Sequence, residues 1–384
     1  MTRHIVCFDP VRRRFLAGAT AASVAASVHC GYPAESGPAF APWDFPDPDL
    51  EPRMSLVHAA ILAASPHNTQ PWWFAVEADR IELSIVPERT LGEMDPLGRE
   101  QVIGIGCALE NLLVAAPAFG FEVSLSVVPE PDRPNLLARI ALQPADAEPS
   151  GSFEMIADRH TNRGPYADLP LPDEAADAMQ VLVSELAPVT LTLLRSAEDK
   201  RAFRDGTNAA TRAIVDDAQM WDASHRWWRQ TQAQIDARRD GLTMDISGVG
   251  AGTRVLGKAS DTVSPERAGR YWIRNTEDIQ LSGSAFGILS TPELEDTASL
   301  LAVGRAWQRL HLWLTEQGAA AQPLNQMAER RDRERTLGLP QAFGGRLDRL
   351  ADGHAQMLFR VGYAWDEPFA SPRRPVAWVS EVGA

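Results

Sequence analysis

The alternation of apolar and polar positions predicts a chain of mixed elements. Residues 53–64 (RMSLVHAAILAA) bring Leu56, Ala60 and Ala63-Ala64 to one helical face, and Ser65-Pro66 stops the helix. Phe74-Ala75-Val76 and residues 81–86 flank Ala78-Asp79-Arg80 and predict a hairpin. A mostly apolar helix follows over 99–118 and closes at Gly120, a natural left-handed terminus. Strands are predicted at 123–128 and 136–142, a helix at 173–186 and a strand at 189–194. Residues 198–238 read as helical with two long polar segments. Residues 239–282 show no clear period and many Gly, Ser and Thr. A strand at 285–289, a helix at 294–317 and a final strand at 356–363 complete the pattern, while 31–52, rich in Pro, Gly and Asp, read as an exposed linker. The absence of a regular βαβ rhythm predicts an α+β fold rather than a doubly wound sheet.

Two of the predicted helices echo each other at an offset of 198 residues. Gly106 meets Gly304, Ala108 meets Ala306, Leu112 meets Leu310 and Gly120 meets Gly318. Such a repeat is what two related halves packing as a dimer within one chain would leave.

The N-terminus differs in character. Arg12-Arg13-Arg14-Phe15-Leu16 precedes an Ala-rich run too short to span a bilayer, and the pair of arginines before Phe-Leu resembles a twin-arginine export signal. A basic helix of the folded domain is the alternative. Ser27-Val28-His29 before Cys30 makes a poor lipoprotein site. The expected location is therefore outside the cytoplasmic membrane, periplasmic or otherwise extracytoplasmic, by way of the twin-arginine translocase. That route carries folded proteins, so it hints at a cofactor loaded before export.

Composition removes several classes of function. The 384 residues carry a net charge of −14, which disfavours a phosphate-backbone partner. Of three cysteines, Cys7 and Cys30 fall in the signal region, leaving Cys107, so no internal disulfide or thiolate metal cluster is expected. The eight histidines do not pair at ligand spacing. Gly104-Ile105-Gly106 and Gly248-Val249-Gly250-Ala251-Gly252 lack the strand-then-helix context of a phosphate loop. Trp221, Trp227 and Trp228 have core spacing.

Three stretches carry candidate chemistry. Ser65-Pro66-His67-Asn68-Thr69-Gln70-Pro71-Trp72 presents a hydroxyl, two amides and a ring between a helix and a strand. Amides that donate and accept suit an isoalloxazine edge, and they suit an ordinary capped turn equally. Arg159-His160-Thr161-Asn162-Arg163 can converge two guanidiniums on one phosphate, and Arg373-Arg374 form a second cationic cluster. Surface ion pairs with the abundant acids are the plain alternative for both.

Together these stretches resemble the FMN-dependent nitroreductase family, in which SPHNTQPW matches a hallmark loop and residues 159–179 match the Arg-rich opening. Ile288-Leu289-Ser290-Thr291, Gln322-Pro323-Leu324 and the QMLFRVGY...SPRRP run extend the resemblance to the exported double-nitroreductase (Acg-like) group, over roughly residues 53 to 382. The resemblance implies a nitroreductase-like fold: antiparallel or mixed sheets flanked by helices, in two halves fused as an internal pseudo-dimer. It divides the chain into a signal and start of linker (1–37), a first half (38–150) and a second half (151–384). It implies one FMN per chain, bound by Ser65, His67, Asn68 and Gln70 from the first half and Thr161, Arg159, Arg163, Ser290, Arg373 and Arg374 from the second. No catalytic side chain and no metal are implied. The expected activity is transfer of electrons from a small-molecule donor through FMN to a nitro, quinone or similar acceptor. Storage or sequestration of a covered FMN is the alternative, with residues 219–282 as a lid in which Trp227 or Trp228 closes on the ring. A monomer is expected, because the pseudo-dimer is internal.

Overall fold

The computed structural model describes residues 34–259 and 263–383. The predicted export signal lies outside the described residues. The first half-unit runs α1 (Pro52–Ile61), β1 (Trp72–Val76), β2 (Arg80–Ile85), α2 (Arg99–Ala115), β3 (Phe121–Val127) and β4 (Leu136–Pro144). Its strands pair antiparallel in the order β1-β2-β4-β3. Glu51 caps α1 by accepting from Arg53 N, and Pro52 occupies the first turn, where its missing N–H costs nothing.

The second half-unit opens with α3 (Asp173–Ser184) and β5 (Thr190–Leu194). There follows an insertion of α4 (Ala197–Asp216), α5 (Ala218–His225), β6 (Trp228–Arg229), α6 (Gln232–Arg238), β7 (Leu242–Thr243), α7 (Ala251–Lys258) and α8 (Pro265–Asn275). The half-unit resumes with β8 (Ala285–Thr291), α9 (Thr297–Glu316), β9 (Ala320–Pro323), α10 (Gln326–Thr336) and β10 (His354–Gly362). Its strands pair antiparallel in the order β5-β8-β10-β9. Strand for strand this repeats the first sheet: β5 stands for β1, β8 for β2, β9 for β3 and β10 for β4. The expected α+β organisation with two fused halves holds. A last strand, β11 (Ser380–Val382), crosses back and pairs parallel to β1.

The two sheets are joined through α2 and α9, the helices of the sequence repeat. A Cβ on Gly304 would stand 2.0 Å from the Ile103 carbonyl oxygen, and one on Gly106 would stand 2.3 Å from that of Leu301. The repeat glycines therefore let two backbones touch. Around them, Cys107 Sγ donates to Gly304 O (3.3 Å) and Gln308 Nε2 to Asn111 Oδ1 (2.7 Å). Arg305 and Arg309 both grip the buried Glu110.

Several elements depart from the pattern read in sequence. Residues 198–238 form three helices, broken where Asp217 caps α5 by accepting from Met220 N. Residues 239–282 contain α7 and α8, whose narrow apolar faces are diluted by Arg and Gly. Residues 356–363 are not the final strand, since β11 follows. α10 escaped because its sequence, QMAERRDRERT, has no apolar period, yet Glu329, Arg331, Asp332, Arg333 and Glu334 are all buried. The supposed linker is packed down from residue 39: Phe45 stacks edge-on with His58, Phe119 and Phe153, and Trp43 Nε1 donates to Ser371 O (2.7 Å).

Candidate functional site

A cavity of about 540 Å³ opens between α2 and α9 on one side and the insertion α5–α8 on the other, within the range of small-molecule sites. Ile103, Gly104 and Cys107 of α2 and Trp307 of α9 form its floor; Trp221, Trp228, Met244 and Trp272 belong to the inserted wall.

The loop after α1 reaches this cavity in a strained form. His67, Asn68 and Gln70 have φ of +45°, +54° and +51°, a region that non-glycine residues occupy only when their surroundings hold them there. What holds them is a set of bonds to the insertion and to the C-terminal segment. Asn68 Nδ2 donates to Gly241 O (3.2 Å) and Pro372 O (2.8 Å), and its Oδ1 accepts from Arg373. Gln70 Nε2 donates to Arg239 O (2.8 Å) and its Oε1 accepts from Arg374 N (2.8 Å). His67 Nε2 meets Ser224 Oγ at 2.8 Å, and Ser65 Oγ accepts from Gln70 N (3.1 Å). The two amides expected to read a ring edge are thus spent within the protein, on backbone groups and the Arg373 side chain.

Ser65, His67, Asn68, Arg159, Thr161, Arg163 and Arg373 line the cavity. Three expected site residues do not. Gln70 and Arg374 fasten the loop to the C-terminal segment, and the Arg374 guanidinium turns away to Trp378 O (2.9 Å). Ser290 is buried within β8, opposite Thr190 and Ala355. Of the tryptophans, Trp228 lines the cavity, whereas Trp227 is buried among Arg89, Arg226 and Arg229.

Arg159 and Arg373 lie together, Arg163 lines the same cavity, and among the described residues none of the three has a carboxylate partner. Arg159 donates to Leu62 O (2.8 Å), Arg163 to Ile246 O (3.2 Å), and Arg373 to Leu62 O (3.3 Å) while lying over the Trp43 ring. Nε of both Arg159 and Arg373 is buried without a partner among the described residues. Burial pulls the Arg159 and Arg163 guanidiniums down to about 10, and burial with the charge of Arg159 pulls Arg373 well below its ordinary value. Beside them, burial first and then Arg159 and Arg373 hold His160 at about 3; burial and then Arg163 hold His67 at about 4. Buried unpaired cations are costly, so this end of the cavity calls for an anion. Gly248 lets the insertion press against the Arg163 backbone: a Cβ there would lie 2.1 Å from Arg163 O.

The other end is acidic. Glu100 of α2 and Glu329 of α10 line the cavity in hydrogen-bond contact, and burial pushes both carboxyls up. Behind them Arg99 pairs with Asp332 (2.7 Å) and Glu100 (3.2 Å). Sequence reasoning missed this pair because a run of charges reads as a solvated surface. The signal was available in Glu100, a charge beside the apolar stretch that opens at Val102. Among the described residues no group of His, Cys, Asp or Glu could hold a metal, and no helix is long and apolar enough to cross a membrane.

No protein-family profile matches the chain. "Putative NAD(P)H nitroreductase Rv3131" of Mycobacterium tuberculosis is 28% identical over 345 residues, covering 87% of this chain and 92% of its own length. "Putative NAD(P)H nitroreductase acg" of the same organism is 29% identical over 345 residues, covering 86% and 95%. Among solved structures, the FMN- and NADPH-dependent nitroreductase NfnB from a Sphingopyxis strain overlaps 61% of this chain and 99% of its own at 15% identity, with a TM-score of 0.40. That overlap is loose, and the chain's own strand order carries the fold. Over most of its length the chain is a relative of these mycobacterial proteins named as NAD(P)H nitroreductases, the kinship that its loop and arginine motifs led one to expect.

Proposed function

We propose that this chain is an FMN-binding, nitroreductase-like oxidoreductase that passes electrons from NAD(P)H or another reduced donor to a nitro, quinone or similar acceptor. The carrying observation is that Arg159, Arg163 and Arg373 line a cavity with an apolar floor and have no carboxylate partner among the described residues. A phosphate dianion there would pair charges that the fold leaves unpaired. The flat lining of Ile103, Met357 and Trp307 suits a ring system. When bound, FMN supplies the two-electron chemistry. The chain's own residues bind and orient it: the guanidiniums anchor, the floor supports, and α5–α8 keep water out. The kinship with NAD(P)H nitroreductases supports the same reading. The test is direct: purified protein should be yellow, with one FMN per chain. Colourless protein that takes up no added FMN overturns it.

One observation favours a second reading, in which FMN is held without turnover. The insertion is fastened over the cavity by His67–Ser224, Asn68–Gly241, Gln70–Arg239 and the Arg89–Asp240 pair. Stopped-flow reduction separates the two: rapid bleaching by NADPH supports the enzyme, and bleaching by dithionite alone supports storage. We also propose export by the twin-arginine route to an extracytoplasmic location, on the strength of residues 12–16. Fusing residues 1–37 to a reporter tests this, and a reporter retained in the cytoplasm refutes it. A monomer is proposed because α2 and α9 already make the pairing of halves within the chain.

A further inference from the structure

Polar atoms without partners gather at the acidic end of the cavity. Gln322 Oε1, Gln326 Oε1 and Glu329 Oε2 are buried, line the cavity and have no hydrogen-bond partner among the described residues. All three belong to the short stretch from β9 into the first turn of α10. Glu329 touches Glu100 across the cavity floor, and Glu100 is also bonded to Asn325. Two carboxyl groups in such contact share a proton, because like charges that close cannot both ionise. Among the described residues the cluster therefore holds three free acceptors, and its side-chain amides can donate as well.

The position of this cluster relative to the arginines is informative. Cys107 of α2 feels the charge of Arg159, and Glu100 stands about two turns away on the same helix face, on the order of 10 Å. A ligand anchored by a phosphate at the arginines and extending along α2 would bring its far end to the carboxyl pair.

We infer that Gln322, Gln326 and the Glu100–Glu329 pair read the polar edge of the ring whose phosphate the arginines hold, namely the N3–H of an isoalloxazine and the carbonyl oxygens beside it. The inference rests on the flavin reading above. An N–H flanked by two acceptors needs partners that accept in the middle and donate on either side. Amides and a protonated carboxyl can do both, and here Gln322 Oε1, Gln326 Oε1 and Glu329 Oε2 are buried and, among the described residues, unspent. The loop amides that might have served instead, Asn68 and Gln70, are already bonded within the protein. Asn275 Oδ1, a further unpartnered acceptor, sits on the inserted wall.

The experiment compares FMN with 3-methyl-FMN, which lacks the N3–H, by fluorescence titration of the full chain after flavin exchange. Wild type is expected to favour FMN by about tenfold or more, the scale of a hydrogen bond left unmade in a buried site. Glu329→Gln, which keeps the shape, and Gln322→Leu, on a different element, should each narrow that preference. Competition by inorganic phosphate should be unchanged, since the arginines are intact. Equal binding of the two flavins by wild type, or a preference untouched in both variants, overturns the inference and leaves the cluster to ordered water. If no flavin binds but phosphate does, the flavin reading falls first and takes this inference with it.

Discussion

Replacing Gly304 by Ala adds one methyl group where α2 and α9 touch. The new Cβ would stand 2.0 Å from Ile103 O and 2.8 Å from Gly106 Cα. Both are backbone atoms, so no side chain can swing aside, and the helices must separate by about 1.4 Å or more to restore an ordinary contact. Overpacking of this kind costs about 1–3 kcal/mol. Separation also stretches the Cys107–Gly304 and Gln308–Asn111 bonds, each contributing roughly 0.5–1.5 kcal/mol. The better helix propensity of Ala returns up to about 1 kcal/mol. The net expectation is a loss of roughly 2–4 kcal/mol, seen as a lower urea midpoint at constant slope. Gly106→Ala opens the same gap, so the double variant should cost less than the sum of the two. Gly252→Ala is the control: a Cβ on this residue of α7 meets nothing within 4 Å, and the change should be neutral or stabilising. A Gly304→Ala protein as stable as wild type would refute the close pairing of halves.

Three further outcomes follow from the site. Arg159→Met should weaken FMN binding about tenfold or more while leaving the flavin-free protein as stable or more so, because an unpaired buried charge is removed; equal weakening of riboflavin binding would make the arginine structural. His67 is held at about 4 against an ordinary 6.5 by burial, with Arg163 adding to the effect. The neutral ring is favoured in the fold, so its contribution is complete above pH 6.5 and is lost as pH falls toward 4. The pH dependence of stability should thus be shallower in His67→Gln than in wild type over that window, by at most about 3 kcal/mol; parallel curves would contradict the buried neutral ring. Asp240→Ala removes the partner of both Arg89 and Arg229 and should speed reduction of bound flavin by dithionite, read by stopped flow; an unchanged rate would mean the insertion does not limit access.

The parts of the fold that follow simple rules were legible before any coordinates. Period and capping gave α1, α2 and α9, and a repeat of four identities pointed to the contact at Gly106 and Gly304. The Arg159–Arg163 cluster was visible because buried cations in an acidic chain stand out in a short motif. The acidic end was not, because α10 buries a run of charges that pattern reasoning assigns to solvent. Gln70 and Arg374 lie off the cavity for a related reason. A side chain in a functional motif can be consumed by backbone bonds that only the tertiary fold brings near, here from residues 239 and 372–374. The 34–52 segment misled through composition, since its Pro and Asp content outweighed the two rings, Trp43 and Phe45, that fasten it.

The pairing of β11 with β1 bears on how this chain matures on the ribosome. β1 is made some three hundred residues before its neighbour, as the strand positions require. Throughout that interval the first sheet carries an open hydrogen-bonding edge, the kind that invites another chain to add a strand. Closure comes only with residues 380–382, after the last strand of the second sheet. A chain released early would keep an adhesive edge and lack Arg373, so the same short segment completes both the sheet and the anion end of the cavity. Quality control that senses exposed strand edges would therefore also be selecting for molecules able to hold their ligand.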